Sequence, residues 1–161
     1  VCVVSPTMDL GLCVDALERP RNALYQWNFV RNLKRRMRRK SRILPGRFDM
    51  SKLRNVRSVR DFDEAFTAPH HGFKDSADYY YRASSLRVID RIVIPTLILS
   101  ADDDPFVPVE QFANDSLRSN PALTVIVTHG GGHCGFFTNP DADFDGYWAE
   151  RTAVGFSEQH L

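Results

Sequence analysis

The sequence has no run of about eighteen apolar residues, the length a membrane-crossing helix needs, so no such helix is expected. Cysteine is scarce. Cys2, Cys13 and Cys134 are odd in number and show no Cys-x-x-Cys spacing, which argues against a disulfide framework and against a zinc site. Buried or inert thiols in a reducing cytoplasm are the expectation. There is no internal repeat, and no low-complexity tract apart from one basic run. Acidic residues almost vanish between residues 19 and 60, where Asp49 faces fifteen Lys and Arg. A G-x-S-x-G string is also missing. Small residues must flank a nucleophilic serine placed on a sharp strand-to-helix turn. The nearest match, Gly155-Phe156-Ser157-Glu158-Gln159, lacks the second glycine and follows no strand, so it reads as part of a terminal helix.

What is present is enough for one globular domain: 161 residues, 43% of them hydrophobic, able to bury roughly two-thirds of the unfolded surface. The net charge of +1 hides a segregation. Residues 1–18 carry three acids and no base, and residues 61–161 carry sixteen acids against six bases. The chain does not begin with Met and opens in V-C-V-V-S-P, which reads as a strand entered mid-fold, so a piece of a longer product is expected.

Thr96 to Ser100 is an uninterrupted apolar run, the pattern of a strand buried on both faces of a parallel sheet. It ends in Asp102, Asp103 and Asp104, followed by Pro105 and Pro108. A second short strand, Leu123 to Val127, ends in T-H-G-G-G-H-C-G-F-F. Val1 to Ser5 predicts a third. Between the first strand and the other two, helices are expected near Leu12 to Leu17, over Asn22 to Arg39 with a basic outer face, over Ser58 to Phe66 with Ser58 and Asp61 as a near capping box, and over Asp75 to Ala83. Thr67 to Gly72 reads as loop. Val109 to Leu117 and Tyr147 to Glu158 complete the helices, with an acidic loop at Pro140 to Gly146. This order gives an α/β class: a parallel sheet whose last strands form a right-handed crossover unit, with a long helical insertion at 19–90 expected to act as a cap within a single domain, 1–161.

Acidic side chains at the C-terminal end of a buried parallel strand sit where open α/β sheets carry their chemistry. His133, flanked by Gly130, Gly131, Gly132 and Gly135, can be presented from a strand end, and imidazole exchanges protons near neutral pH. A general-base histidine needs a carboxylate on its far nitrogen. Three adjacent acids cannot all enter one cleft, because like charges repel. Asp104, directly before Pro105, is favoured, with Asp103 the alternative acid. His129 is a second-choice base that reads as a strand-end residue. Cys134 adjoins His133, but neighbouring extended residues face opposite ways, so no Cys–His pair is expected.

The strings P-T-L-I-L-S-A-D-D-D-P-F-V-P and H-G-G-G-H-C-G-F-F resemble the C-terminal catalytic blocks of the α/β-hydrolase superfamily. With V-S-P-T-M-D-L, F-D-E-A-F-T-A-P-H-H-G-F and Y-Y-Y-R-A-S-S, the chain is similar to the YheT-like branch of carboxylesterases and lipid hydrolases over nearly its whole length. The resemblance implies a partial α/β-hydrolase fold made of the last three parallel strands, their flanking helices and a helical cap. It implies Asp104 (or Asp103) and His133 as two members of a Ser-His-Asp triad, with the serine upstream of Val1. It implies a small-molecule or lipid ester as substrate, no metal and no organic cofactor. The basic segment 19–60, densest at 34–42, suggests a competing role as a non-catalytic anion-binding module for nucleic acid or an anionic membrane surface. No DNA- or RNA-binding signature accompanies it, which disfavours nucleic acid. The three tyrosines at 79–81 read as packing.

Overall fold

A computed structural model describes residues 1–141 and 143–160. In chain order the elements are β1 (Cys2–Val4), α1 (Leu10–Leu17), α2 (Ala23–Ile43), α3 (Val59–Phe62), α4 (Ala68–His70), α5 (Ser76–Ala83), β2 (Thr96–Ala101), α6 (Asp115–Ser119), β3 (Leu123–Thr128) and α7 (Trp148–Glu158), with short 3-10 turns between several of them. The chain divides into two compact units, one of Val1–Cys13 with Ser84–Leu161, the other of Val14–Ala83. The second unit starts and ends earlier than the expected 19–90 insertion. The 3-10 segment Ser85–Arg91 belongs with the sheet because Ile89 is buried in the sheet's core beside Ile98.

The first unit is built on a parallel sheet in the order β1-β2-β3. All six residues of β2 are buried, as its unbroken apolar sequence requires of a strand between two neighbours and two covered faces. Val4 pairs with Leu99, and Ala101 pairs with Thr128, so β2 and β3 end level. Met8, Cys13, Val107, Phe112 and Leu117 pack with Ile98 and Ile89 into one cluster. Two buried or half-buried amides fasten the connections. The Gln111 Oε1 accepts from the backbone N–H of both Met8 and Asp9 at 3.0 Å. The Asn120 Nδ2 donates to the carbonyls of Ile89 and Ile92, also at 3.0 Å.

The expected helix Val109–Leu117 is two pieces, a 3-10 turn at Val109–Ala113 and α6. Asn114 breaks it: its backbone is extended and its side chain caps the Ser116 N–H at 2.9 Å, a use Asn prefers to a helix interior.

The second unit is helical. Val30 and Met37, seven residues apart on α2, lie on the buried stripe and pack with Leu53, Val56 and Phe66. The helix carries eight Lys and Arg and no acid. It ends before the Pro45-Gly46 pair, with Gly46 at φ 75°. Ser58 and Asp61 form a full capping box, each side chain taking the other's backbone N–H at 3.0 Å. The expected loop at Thr67 to Gly72 is instead helical through His70: a π turn over Asp63–Thr67 leads into α4. Pro69 has no N–H and its ring would strike a carbonyl four residues back in a regular helix; a widened turn makes that room. Of the three tyrosines, Tyr80 is buried and its hydroxyl donates to Asp63 at 2.7 Å, whereas Tyr81 is exposed.

Candidate active site

Because β2 and β3 end at the same rung, the loops that follow them leave the sheet side by side. Each of the three acids after β2 then takes a separate task against the loop after β3. Asp102, outermost, accepts the Gly130 N–H at 3.1 Å and faces the Nδ1 of His129 at 2.6 Å. The Gly130 N–H first, and the His129 imidazole second, hold its carboxyl below the usual carboxylate range. His129 is fully solvent-exposed, on the outside of the turn. Asp103 accepts the Gly132 N–H at 2.8 Å and makes no hydrogen bond to His133 among the described residues.

Asp104 alone turns inward, its side chain fully buried. One carboxylate oxygen, Oδ1, accepts the backbone N–H of Phe106 at 2.8 Å and of Val107 at 3.0 Å. These two donors fix the carboxylate plane. The other oxygen, Oδ2, stands 2.9 Å from the Nδ1 of His133. A carboxylate oxygen accepts, so Nδ1 is the donor, and in the neutral ring the lone pair falls on Nε2. Nε2 has no hydrogen-bond partner among the described residues, and the His133 side chain is 41% exposed. The edge-on ring of Phe106, 5.2 Å away, packs against the imidazole.

The glycines give this loop its shape. Gly131 has φ 131°, and a methyl group there would come within 2.9 Å of Phe136 and 3.3 Å of Ala101. Its carbonyl accepts the Gly135 N–H at 2.8 Å and closes the turn that carries His133. Cys134 takes a left-handed φ of 68° and is exposed; no contact joins its sulfur to His133 among the described residues. Cys13 is the opposite case. Burial pushes its thiol up to about 11.

Ser157 lies inside α7, where its hydroxyl donates to the Ala153 carbonyl at 2.8 Å, so the G-F-S-E-Q string forms no strand-to-helix turn. Sequence reasoning missed Ser5 and Ser100. Ser5 follows β1 with φ 46°, and its N–H bonds the Leu99 carbonyl at 2.8 Å, one rung short of Ser100. Both hydroxyls are buried and without a partner among the described residues. Ser5 is followed by Pro6 rather than by a helix, so it is not an elbow nucleophile. No composition or spacing signal marks a backbone strained in this way. The Phe106 and Val107 N–H donors are likewise invisible in sequence, since every non-proline residue has one. No cluster of His, Cys, Asp and Glu suited to a metal ion occurs among the described residues.

A family model described as the alpha/beta hydrolase fold matches residues 16–140. The chain belongs to the alpha/beta hydrolase fold family. Among its relatives is the Escherichia coli protein named as the esterase YheT, 35% identical over 137 residues, covering 83% of this chain and 40% of YheT. The mouse phospholipase ABHD3 is 33% identical over 125 residues, covering 77% of the chain and 30% of that protein. The monoacylglycerol lipase of Saccharomyces cerevisiae is 40% identical over 85 residues, or 53% of the chain and 19% of the lipase. This α/β-hydrolase chain thus spans at most about two fifths of the length of these relatives. The family assignment fits the partial parallel sheet, and a YheT-like relationship fits the order of the motifs along it.

Proposed function

We propose that this chain is the part of a serine carboxylic-ester hydrolase that carries the acid and the base of a Ser-His-Asp triad, with the serine supplied by residues upstream of Val1. The observation that carries the proposal is the buried Asp104 carboxylate gripping Nδ1 of His133 while Nε2 stays open. In that reaction Nε2 takes the proton of the serine hydroxyl as its oxygen attacks the ester carbonyl. The resulting imidazolium, steadied by Asp104, gives the proton to the departing alkoxide as the carbon–oxygen bond breaks. Nε2 then takes a proton from water, the hydroxide attacks the acyl-serine, and the carboxylic acid leaves as the proton returns to the serine oxygen. The names of the relatives, an esterase, a phospholipase and a lipase, support carboxylic esters with apolar acyl chains as the substrate class.

The test is ester turnover by the longer polypeptide that includes the upstream segment, followed with p-nitrophenyl butyrate. His133→Ala is expected to lower kcat by about a millionfold, because removing the base disables the triad as a unit. Full turnover in that variant would end the proposal.

A further inference from the structure

The helical unit Val14–Ala83 holds a cavity of about 140 Å³ that the ester chemistry does not use. Its walls are apolar: Leu33 and Met37 from α2, Phe62 and Phe66, and the ring of Phe48. Its rim carries two fixed cations and two imidazoles. Arg36 and Lys40 stand one turn apart on α2, and His70 and His71 close the other side. No carboxylate lines it among the described residues, and neither Arg36 nor Lys40 makes an ion pair there.

Three acids adjoin lining residues in sequence, Asp49 beside Phe48 and Asp61 and Asp63 beside Phe62, but none of them lines the cavity. Asp49 accepts from Ser51, and Asp61 from the N–H groups of Arg57 and Ser58. Asp63 has both oxygens occupied by hydroxyls, that of Thr67 at 2.6 Å and that of Tyr80 at 2.7 Å. Lys40 lies over the Phe48 ring, 5.0 Å from its centroid, and His70 packs on the same ring at 5.5 Å. His70 is crowded: desolvation first, then Lys40, His71 and Arg47, hold its imidazole below the ordinary value. A basic helix that only needs to be solvated would spread its charges outward. Here Arg36 and Lys40 border one apolar hollow, with two imidazoles opposite that can donate hydrogen bonds.

We propose that this cavity binds a small anionic amphiphile, a carboxylate or phosphate monoester on a short apolar body. The cavity is close to the roughly 150 Å³ that accepts a benzene-sized guest, which sets the size of the apolar part. Arg36 offers a planar fork suited to two oxyanion oxygens, and Lys40 adds a point charge beside it. The site is independent of the ester reading, since occupying it requires no turnover.

The experiment is NMR titration of the full 161-residue chain at low salt, following the ring protons of His70 and His71. Benzoate, phenyl phosphate and neutral benzyl alcohol are the probes. One or both anions are expected to shift these signals saturably and to bind at least about tenfold more tightly than the alcohol, the factor that one charge-assisted contact gives. A tighter fit of benzoate identifies a carboxylate site, and a tighter fit of phenyl phosphate identifies a phosphate monoester site. The preference should vanish in R36Q/K40Q and weaken in K40Q, both at exposed positions that leave the core unchanged. Binding of the alcohol as tight as that of the anions, an unchanged anion preference in R36Q/K40Q, or no shift at all would overturn the proposal.

Discussion

At the scale of single residues, Asp102, Asp103 and Asp104 are chemically identical yet do three different things, and backbone amides decide which does what. Asp104 has two N–H donors on one oxygen, no exposure, and His133 on the other oxygen. Asp103, among the described residues, serves only the Gly132 N–H at the surface. The Asn substitutions separate these roles. In Asp104→Asn an amide NH₂ can face Nδ1, favouring the tautomer with the proton on Nε2, where it cannot act as a base. In the longer polypeptide kcat is therefore expected to fall about ten-thousandfold with little change in KM. Asp103→Asn keeps an oxygen for the Gly132 N–H and should cost less than about tenfold, the scale of one exposed hydrogen bond. Steady-state kinetics of both variants checks the assignment. An equal loss in the two would mean that the acid is not Asp104.

At the scale of elements, the turn between β3 and α7 is what brings His133 to Asp104, and Gly131 is a crowded, left-handed point within it. In Gly131→Ala a methyl group would press on Phe136 and Ala101 at a φ of 131°, which side chains rarely adopt. The expected loss is about 1–3 kcal/mol of stability from the clash and backbone strain. It should be read as a lowered urea midpoint at unchanged m-value. A midpoint equal to that of the parent would show that the loop tolerates a side chain and is not the rigid mount described above. This is also where sequence stops being a guide. Strand β2 is legible because an unbroken apolar run has few other homes, and the Ser58–Asp61 cap because both partners are local. Asp104 could be favoured over Asp103 from its place before Pro105 but not separated from it, since the deciding donors are the main-chain N–H groups of Phe106 and Val107. The π turn ahead of Pro69, the break at Asn114 and the strained Ser5 depend on how neighbouring turns share hydrogen bonds. No residue type announces that sharing.

At the scale of the whole molecule, two buried clusters with no shared member sit in separate stretches of chain, one around Ile98 in the sheet unit and one around Met37 in the helical unit. The sheet is also narrow. β1 pairs with β2 on one side only, and its other edge has no strand partner among the described residues, which leaves main-chain groups free to pair elsewhere. Stability in such a chain should be local. Met37→Ala removes a side chain that is 6% exposed and should cost about 2–5 kcal/mol through lost burial and the cavity left behind. If each cluster opens as its own cooperative unit, that loss falls on the amides of Val14–Ala83 alone. Native-state hydrogen exchange reads both halves in one experiment. Protection in α2 is expected to drop by a factor of about thirty or more, as 2 kcal/mol implies. Protection at Leu97 to Ala101 in β2 should hold within about threefold. A matching drop in β2 would mean that the two units unfold together.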